Sequence, residues 1–344
     1  MKKQEKKKSK VKKILLIILA ALFLLLVTVV AAGLIFLNGF LNKLDRNEIT
    51  GDINLPEDQV YEEATVDATD SYEHIDEAQK DYENVQTIDP LEKANIKNIL
   101  LIGSDRRSTG ENGRSDAMIL LTMNFDTGKV HLTSLMRAMY VCIPRSDGDI
   151  WGMLNASYSW GGPKLLIDTV ENNFRINIDH YVVVDFSSFK LAIDTLGGVD
   201  IYLKDFEASR ILGASGAGTY HLDGRSALNY SRLRYTDNDF VRTNRQRNVI
   251  EALLKKALTT DIPTLMSLAD QILPYVNTNL NNTEILYYLS KTPALMGAPI
   301  TQRMLPIENE AGKTYTGKIY VNGREMYKVD FETNIKALHE FMLS

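Results

Sequence analysis

The distribution of apolar and polar residues divides the chain into four segments. Residues 14–37 form an uncharged, mostly aliphatic run of 24 residues. As a helix this run would be about 36 Å long, enough to cross a hydrocarbon core of about 30 Å. Residues 38–95 contain few large apolar side chains. From residue 96 onward short apolar runs alternate with stretches of helical periodicity, which indicates a globular domain.

The order of elements after residue 96 predicts a mixed sheet covered by helices. Short apolar runs that end at glycine or polar residues predict strands, and apolar residues spaced three or four apart predict helices. The predicted strands are Asn98–Ile102, Ala117–Met123, Lys129–Leu135, Tyr181–Phe186, Val199–Leu203, Lys318–Val321 and Glu325–Val329. The predicted helices are Pro163–Phe174, Ser187–Leu196, Asp223–Leu228, Asp239–Leu258, Thr264–Leu273, Thr283–Ser290 and Glu332–Met342. Together they predict a single-domain α/β/α sandwich with a mixed central sheet, preceded by one N-terminal transmembrane helix.

Turn and cap residues refine several of these boundaries. Asp126-Thr127-Gly128 and Asn322-Gly323 predict hairpin turns. Ser187 and Asp223 are predicted to cap the helices that follow them. Residues Asn155–Pro163 (NASYSWGGP) are rich in turn formers and are predicted to form a loop, either a simply packed one or one whose two aromatic residues stack on a sugar.

Charge is distributed unevenly along the chain. Residues 1–13 contain eight lysines and one glutamate, a charge of +7, whereas the whole chain has −5 and the remainder therefore −12. Residues 45–93 hold sixteen acidic residues against three basic ones. The negative charge of the residues after residue 13 argues against nucleic acid as the main partner.

The charge pattern also predicts the topology. Basic residues precede the apolar run and acidic residues follow it, which places the N-terminus in the cytoplasm. We expect a cytoplasmic basic tail (1–13), a transmembrane signal anchor (14–37), an acidic extracellular spacer (38–95) and an extracellular catalytic domain (96–344). A cleaved signal peptide is the alternative, but the apolar run exceeds the usual hydrophobic region of such peptides.

Several kinds of catalytic site are absent from the sequence. It has no GxxxxGK[ST] loop, no GxSxG elbow and no HExxH motif, so a P-loop, an esterase-type serine and that zinc motif are unsupported. The single cysteine, Cys142, excludes an intramolecular disulfide, and we expect it to be a buried apolar residue.

The strongest candidate for a binding site is the arginine-rich stretch Tyr230–Arg247. Guanidinium groups match phosphate oxygens two at a time, and five of them so close together repel one another without an anion between them. A solvated, charged helix end is the competing interpretation. In extended chain Arg232 and Arg234 would point the same way, and on a helix Arg242, Arg245 and Gln246 would share one face. The arginines are Arg232, Arg234, Arg242, Arg245 and Arg247.

A second charged group is predicted at one edge of the sheet. Asp105 and Arg106 follow the first strand, Arg114 and Asp116 precede the second, and Arg137 follows the third. Sheet edges of this kind often bind ligands. Two carboxylates beside a polyanion suit a hard divalent cation such as Mg²⁺. A loop ion pair is the competing interpretation for each group alone.

Together these motifs resemble the LytR-CpsA-Psr family of Gram-positive cell-wall enzymes. The resemblance covers about residues 96–260. It rests on Asn98–Arg106 (NILLIGSDR), Arg114–Asp116, Leu154–Tyr158 with Gly161–Pro163, His180–Phe186, Leu196–Val199, Ala227–Arg234 and Asp239–Arg247, in that order.

The resemblance implies a function and a set of site residues. It implies a membrane-anchored phosphotransferase that moves a glycopolymer, such as teichoic acid or capsular polysaccharide, from a polyprenyl-pyrophosphate carrier to peptidoglycan N-acetylmuramic acid. Asp105 and Asp116 would hold Mg²⁺, with Mn²⁺ as the alternative ion. The pyrophosphate would contact Arg106, Arg114, Arg137, Arg232, Arg234, Arg242, Arg245 and Gln246. The groups implied in catalysis are Asp105, Asp116, Arg114, Arg137, Arg232 and Arg234.

The sequence departs from the family pattern at one position. The family has Pro-Arg-Asp after the third strand, and here the residues are Met136-Arg137-Ala138. Two alternatives stay open beside the transferase. One is a polyprenyl-pyrophosphate hydrolase, since the same residues would serve water as the acceptor. The other is a non-catalytic lipid-binding envelope regulator, which the missing carboxylate favours.

Overall fold

The computed structural model describes most of the chain after residue 78. The described residues are 79–80, 82–105, 113–233, 239–260, 271, 276–295, 297–307, 316–321 and 323–344. All of them lie in one unit of the chain, Asp45–Ser344.

A six-stranded mixed sheet forms the centre of the fold. Its strand order is β10-β3-β2-β1-β6-β9, with β1 antiparallel to β2 and parallel to β6. The strands are β1 (Ile96–Ser104), β2 (Ser115–Asn124), β3 (Lys129–Leu135), β6 (His180–Val184), β9 (Asn277–Thr278) and β10 (Ile300–Leu305). The mixed central sheet is therefore confirmed.

The β2–β3 turn follows the predicted chemistry. Asn124 Oδ1 accepts hydrogen bonds from the backbone N–H groups of Asp126 and Thr127, at 3.1 and 3.0 Å. Gly128 has φ of 65°, which a residue with a side chain rarely adopts. The turn brings β3 back antiparallel to β2.

Among the described residues, three two-stranded antiparallel sheets lie outside the central sheet. They pair β4 (Tyr140–Ile143) with β5 (Ile150–Met153), β7 (Val199–Leu203) with β8 (Gly218–Leu222), and β11 (Thr316–Val321) with β12 (Arg324–Val329). The last pair includes the strands predicted on either side of Asn322-Gly323.

Seven α-helices are described alongside the strands. They are α1 (Leu154–Phe174), α2 (Phe186–Thr195), α3 (Asp205–Leu212), α4 (Gly224–Arg232), α5 (Asp239–Thr259), α6 (Asn282–Lys291) and α7 (Phe331–Leu343), and a 3-10 turn (Thr292–Leu295) follows α6. The predicted helix Thr264–Leu273 lies in a stretch of which only residue 271 is described.

The loop predicted at residues 155–163 was wrong. These residues form the first half of α1, and the two glycines only kink the helix. Gly161 and Gly162 have non-helical backbone angles, so Pro163 begins a second helical segment, where its missing N–H costs little. Polar residues in the first turns had masked a helix whose buried residues include Leu154, Tyr158 and Trp160.

Two predicted helix boundaries also need correction. Asp185, and not Ser187, caps α2, since its side chain accepts from the N–H groups of Ser187 and Ser188. Asp223 does cap α4, by accepting from Ser226 N at 2.7 Å. That helix continues past Leu228 to Arg232, so Arg232 is helical rather than extended.

The two faces of the sheet are covered differently. Alternate residues of β1 and β2, such as Leu100 and Leu120, join the main core with Phe174 of α1 and Leu338 of α7. The opposite face, which includes Leu101 and Ile119, borders an open cavity beneath α2, α4 and α5.

The main core extends before the predicted start of the domain at residue 96. Tyr82 and Val85 are buried in it, and Tyr82 packs edge-to-face on Trp151 with ring centroids 5.3 Å apart. Cys142 is buried there as predicted, and burial raises the pKa of its thiol to about 11. Within the described part of the chain no helix is long and apolar enough to span a membrane. The predicted anchor, residues 14–37, lies outside it.

Candidate functional site

A cavity of about 490 Å³ lies between the sheet and helices α2, α4 and α5. Most of its wall is apolar, and its lining also includes charged and polar side chains. From the sheet side it is lined by Leu101, Ile102, Gly103, Asp116, Ala117, Ile119 and Val184. From the α2, α4 and α5 side it is lined by Asp185, Phe186, Phe189, Leu228, Ser231, Arg232, Arg242, Gln246 and Ile250.

One edge of the sheet carries the acidic and basic residues predicted from the sequence. β1 and β3 run in the same direction and β2 runs opposite to both. The C-terminal ends of β1 and β3 therefore lie at the same edge as the start of β2. Asp105, Asp116 and Arg137 are all delivered to that edge, as the sequence predicted.

A register shift places Asp116 at the cavity. Gly103 pairs with Ala117 and Ser104 pairs with Ser115, so Asp116 has no partner residue on β1. A bulge of this kind turns a side chain away from the regular pleat and is common beside active sites. At Gly103 the strands are close, since a Cβ atom there would lie 3.1 Å from the Cβ of Ala117.

Asp116, Arg137, Asp239 and Arg242 form a continuous chain of ion pairs. Arg137 Nη1 lies 2.9 Å from Asp116 Oδ1, and its Nε lies 3.5 Å from Asp239 Oδ2. Asp239 Oδ1 in turn lies 3.0 Å from Arg242 Nη2. The chain links β2, the loop after β3 and the first turns of α5, and it holds two guanidinium groups beside the cavity.

Arg232 reaches the cavity from the last turn of α4. Its guanidinium carbon lies 4.7 Å above the centroid of the Phe186 ring, within cation–π range. This contact places an exposed cation beside an aromatic residue of the cavity wall.

Helix α5 separates the arginines that were predicted to share one face. Arg242, Gln246 and Ile250 are four residues apart and all line the cavity. Arg245 does not join them, so that prediction was wrong for Arg245. Arg245 and Gln246 are consecutive residues, so their side chains point about 100° apart around the helix.

Arg245 is instead held in a buried ion pair. Its Nε donates to Glu207 Oε1 at 2.7 Å, and its Nη1 donates to the carbonyl of Leu233 at 3.0 Å. Both side chains of the ion pair are at most 5% exposed. Arg245 therefore fastens α5 to α3 and to the chain that follows α4.

Arg247 also has an internal role. It donates to Gln302 Oε1 at 2.8 Å and to Ser134 Oγ at 2.9 Å, and it contacts Asn244. Burial lowers the pKa of its guanidinium to about 10. The residue joins α5 to β10 and β3.

Asp105 and Arg114 close the loop between β1 and β2. Arg114 N donates to Asp105 Oδ1 at 2.7 Å, and Asp105 N donates to the Arg114 carbonyl at 3.1 Å. Arg114 is exposed. Arg106 and Arg234, the two other predicted ligands, lie outside the described residues.

The donor groups present are compatible with Mg²⁺. Among the described residues no three His, Cys, Asp or Glu side chains form a ligand cluster. A divalent ion at Asp105 and Asp116 would therefore depend on oxygens supplied by a substrate, which is how Mg²⁺ is bound in many phosphate sites.

The family model LytR_cpsA_psr matches residues 59–340. The chain belongs to the LytR-CpsA-Psr family. The polyisoprenyl-teichoic acid–peptidoglycan teichoic acid transferase TagU of Enterococcus faecalis is 35% identical over 193 residues, which cover 55% of this chain and 61% of that relative. The match thus spans less than two thirds of the TagU length.

Two further relatives cover more of the LytR-CpsA-Psr domain. Regulatory protein MsrR of Staphylococcus aureus is 30% identical over 269 residues, 76% of this chain and 79% of MsrR. The crystal structure of Bacillus subtilis TagV superposes with a TM-score of 0.57 at 26% identity, over 73% of this chain and 98% of that one.

Sequence reasoning did not find the aromatic part of the site. Phe186 and Phe189 line the cavity from α2, and Asp185 begins that helix. The available signal was the Asp185 cap followed by two phenylalanines three residues apart, which places both rings on one helix face.

Proposed function

We propose that this protein is a phosphotransferase that moves a glycopolymer from a polyprenyl-pyrophosphate carrier to the N-acetylmuramic acid of peptidoglycan. The observation that carries the proposal is the cavity, which combines long apolar walls with a group of arginines and carboxylates. A lipid-linked pyrophosphate has the same division between apolar tail and charged head. The transferase name of the TagU relative supports the same reaction.

The apolar wall suits the polyprenyl chain. Ile119, Phe189 and Ile250 approach from the sheet, α2 and α5 respectively. Burying a branched hydrocarbon against such side chains is favourable by roughly 25 cal/mol for each Å² of apolar surface removed from water. The tail would thereby hold the carrier while the headgroup remains at the ionic group.

The charged residues suit the pyrophosphate. Arg232, Arg242 and Gln246 supply donors from α4 and α5, and Arg137 supplies another from the loop after β3. Phosphoryl transfer depends on charge neutralisation and alignment more than on covalent catalysis. Mg²⁺ bound to Asp105 and Asp116 would neutralise further charge on the phosphates.

The transfer itself follows from this arrangement. The hydroxyl oxygen of the muramic acid attacks the phosphorus that carries the glycan. The bond from that phosphorus to the bridging oxygen breaks, polyprenyl phosphate leaves with the bridging oxygen, and the hydroxyl proton is released. Arginines around the phosphates stabilise the charge that develops on their oxygens.

Although Ala138 supplies no carboxylate, Arg137 still has carboxylate partners. Ala138 is buried, and its carbonyl accepts from Tyr327 N at 2.8 Å. Arg137 is flanked by the carboxylates of Asp116 and Asp239. This pairing keeps the guanidinium oriented at the sheet edge, which favours an enzyme over a non-catalytic receptor.

We further propose that the protein is anchored in the cell membrane of a Gram-positive bacterium. Residues 14–37 would span the bilayer, with the N-terminus in the cytoplasm and the folded domain outside. The anchor would then hold the enzyme in the same membrane as a carrier that cannot leave the bilayer.

The proposal is tested by incubating the full chain with a polyprenyl-pyrophosphoryl glycan, Mg²⁺ and peptidoglycan fragments. We expect glycan phosphate to become linked to muramic acid. Release of polyprenyl phosphate without that product would identify a hydrolase, and binding without turnover would identify a receptor. The Asp105→Ala and Arg232→Ala variants should be inactive but folded, and full activity in either would contradict the residue assignment.

A further inference from the structure

The β11–β12 hairpin lies directly against the ion-pair chain. Tyr327 N donates to the carbonyl of Ala138, the neighbour of Arg137, at 2.8 Å. The Tyr327 ring packs edge-to-face on Phe240, the neighbour of Asp239, with centroids 5.2 Å apart. The hairpin therefore lies beside the residues that carry Arg137 and Asp239.

One face of the hairpin is buried, and the other is open except at Tyr327, which is buried against Phe240. Ile319 and Met326 are paired across the strands and buried in a small cluster with Tyr140. Side chains alternate along a strand, so Lys318, Tyr320 and Glu325 share the opposite face with Tyr327. Glu325 lies two residues from Tyr327, about 7 Å along the strand.

The open face carries an aromatic ring whose hydroxyl makes one hydrogen bond. Tyr320 is 42% exposed, and its hydroxyl donates to Glu325 Oε2 at 3.0 Å. Lys318 Nζ lies 2.9 Å from Glu325 and is itself exposed. The hydrogen bond from Lys318 has the largest effect and lowers the pKa of Glu325, and the bond from Tyr320 lowers it too, so the carboxylate stays charged. The result is an oriented ring beside two polar groups.

We propose that the outward face of β11–β12, formed by Lys318, Tyr320 and Glu325, binds the acceptor glycan strand. This inference rests on the transferase function proposed above. An acceptor polymer that presents one hydroxyl at the phosphates must run for several sugars beyond the ionic group. The open face of the hairpin provides the surface for it on the side of Arg137 and Asp239.

The chemistry of the face fits a sugar chain. The C–H side of a pyranose ring packs on an exposed aromatic ring, and its hydroxyl groups bond to charged side chains at the ring edge. Both kinds of group are present here at fixed positions. Because the face is neither strongly apolar nor of a single charge, it suits a neutral polar polymer better than a lipid or a polyanion.

The test measures the effect of Tyr320→Ala in the full chain. We expect the KM for uncrosslinked peptidoglycan strands to rise by about tenfold, a loss typical for truncation of an aromatic contact residue. kcat and the KM for the lipid-linked donor should stay the same. Tyr320→Phe keeps the ring and should retain most of the affinity for the acceptor. Tyr202→Ala is the matched control, since Tyr202 is 63% exposed on the separate β7–β8 hairpin.

Retention of the full chain on polymer-free peptidoglycan, without donor, separates this inference from the proposed function. Retention that is lost in Tyr320→Ala supports the subsite, even if no transfer is found. Transfer with an unchanged acceptor KM in Tyr320→Ala overturns the subsite and leaves the function intact. A rise in the donor KM alone would also overturn it, because the face would then contact the donor polymer.

Discussion

Replacing Arg245 by alanine should lower the free energy of unfolding without removing a group from the proposed phosphate site. Arg245 and Glu207 form a buried ion pair with 2.7 Å between Nε and Oε1. Glu207 Oε2 also accepts from Lys204 N at 2.8 Å, so its carboxylate stays in place when the arginine is removed. The variant would therefore leave a buried, uncompensated negative charge.

The size of the effect follows from that charge. Removing one partner of a buried ion pair costs about 3–5 kcal/mol of the free energy of unfolding. The carbonyl of Leu233 would lose its hydrogen bond as well. For a domain of this size the change corresponds to a melting temperature lower by roughly 6–20 °C.

Urea and thermal unfolding of Arg245→Ala, followed by circular dichroism, measure the effect. The matched control is Arg225→Ala, which removes an exposed arginine from α4 and should change the free energy of unfolding by less than about 0.5 kcal/mol. Wild-type stability in Arg245→Ala, together with loss of pyrophosphate binding, would refute the structural role and make Arg245 a ligand.

Three further predictions concern the cavity and the core. Arg242→Ala should lower kcat/KM for transfer by about 10²–10³-fold, because a positioned donor to the phosphates is removed, and steady-state kinetics beside Arg225→Ala would reveal this. Ile119→Trp should fill part of the cavity and weaken binding of a long-chain polyprenyl phosphate in a titration, and equal affinity would show that the chain lies elsewhere. Burial holds the pKa of His131 below its usual value, so the unfolded chain binds the proton more tightly and the free energy of unfolding should fall as pH drops below about 6.5. Urea midpoints at pH 7.5 and pH 5 should differ less in His131→Gln than in wild type, and an identical difference would exclude His131 as a cause.

The sequence predicted best the elements that are buried on both sides. β1 contains the continuous apolar run Ile99–Ile102, β3 alternates apolar with polar residues, and the turn between β2 and β3 has its own signature. The missed strands are short or lie at the outer edge of the sheet. β10 (ITQRML) pairs only with β3 at the sheet edge and mixes polar with apolar residues, while β4 and β5 are four residues each.

The site was also predictable from the sequence only in part. The residue types that suit a phosphate were visible in the sequence, and their arrival at one sheet edge followed from strand order. The distinction between Arg242 and Arg245 was not visible, because it depends on Glu207, which lies 38 residues earlier in the chain. The register shift that frees Asp116 likewise depends on pairing between strands and leaves no pattern in either strand alone.

Ala138 is the position at which the sequence departs from the family motif, and the contacts of Arg137 change what that departure means. The sequence indicated a lost carboxylate after β3. In the structure Arg137 lies 2.9 Å from Asp116 and 3.5 Å from Asp239. Charge balance around the guanidinium is therefore a property of the fold and not of the local motif.

A crystal structure of the chain with a short polyprenyl pyrophosphate would test the proposed site most directly. We expect the two phosphates to lie against Arg232, Arg242 and Gln246, with the hydrocarbon chain between Ile119 and Phe189. Phosphates bound at another surface, or a hydrocarbon chain outside this cavity, would contradict the proposed function of the site.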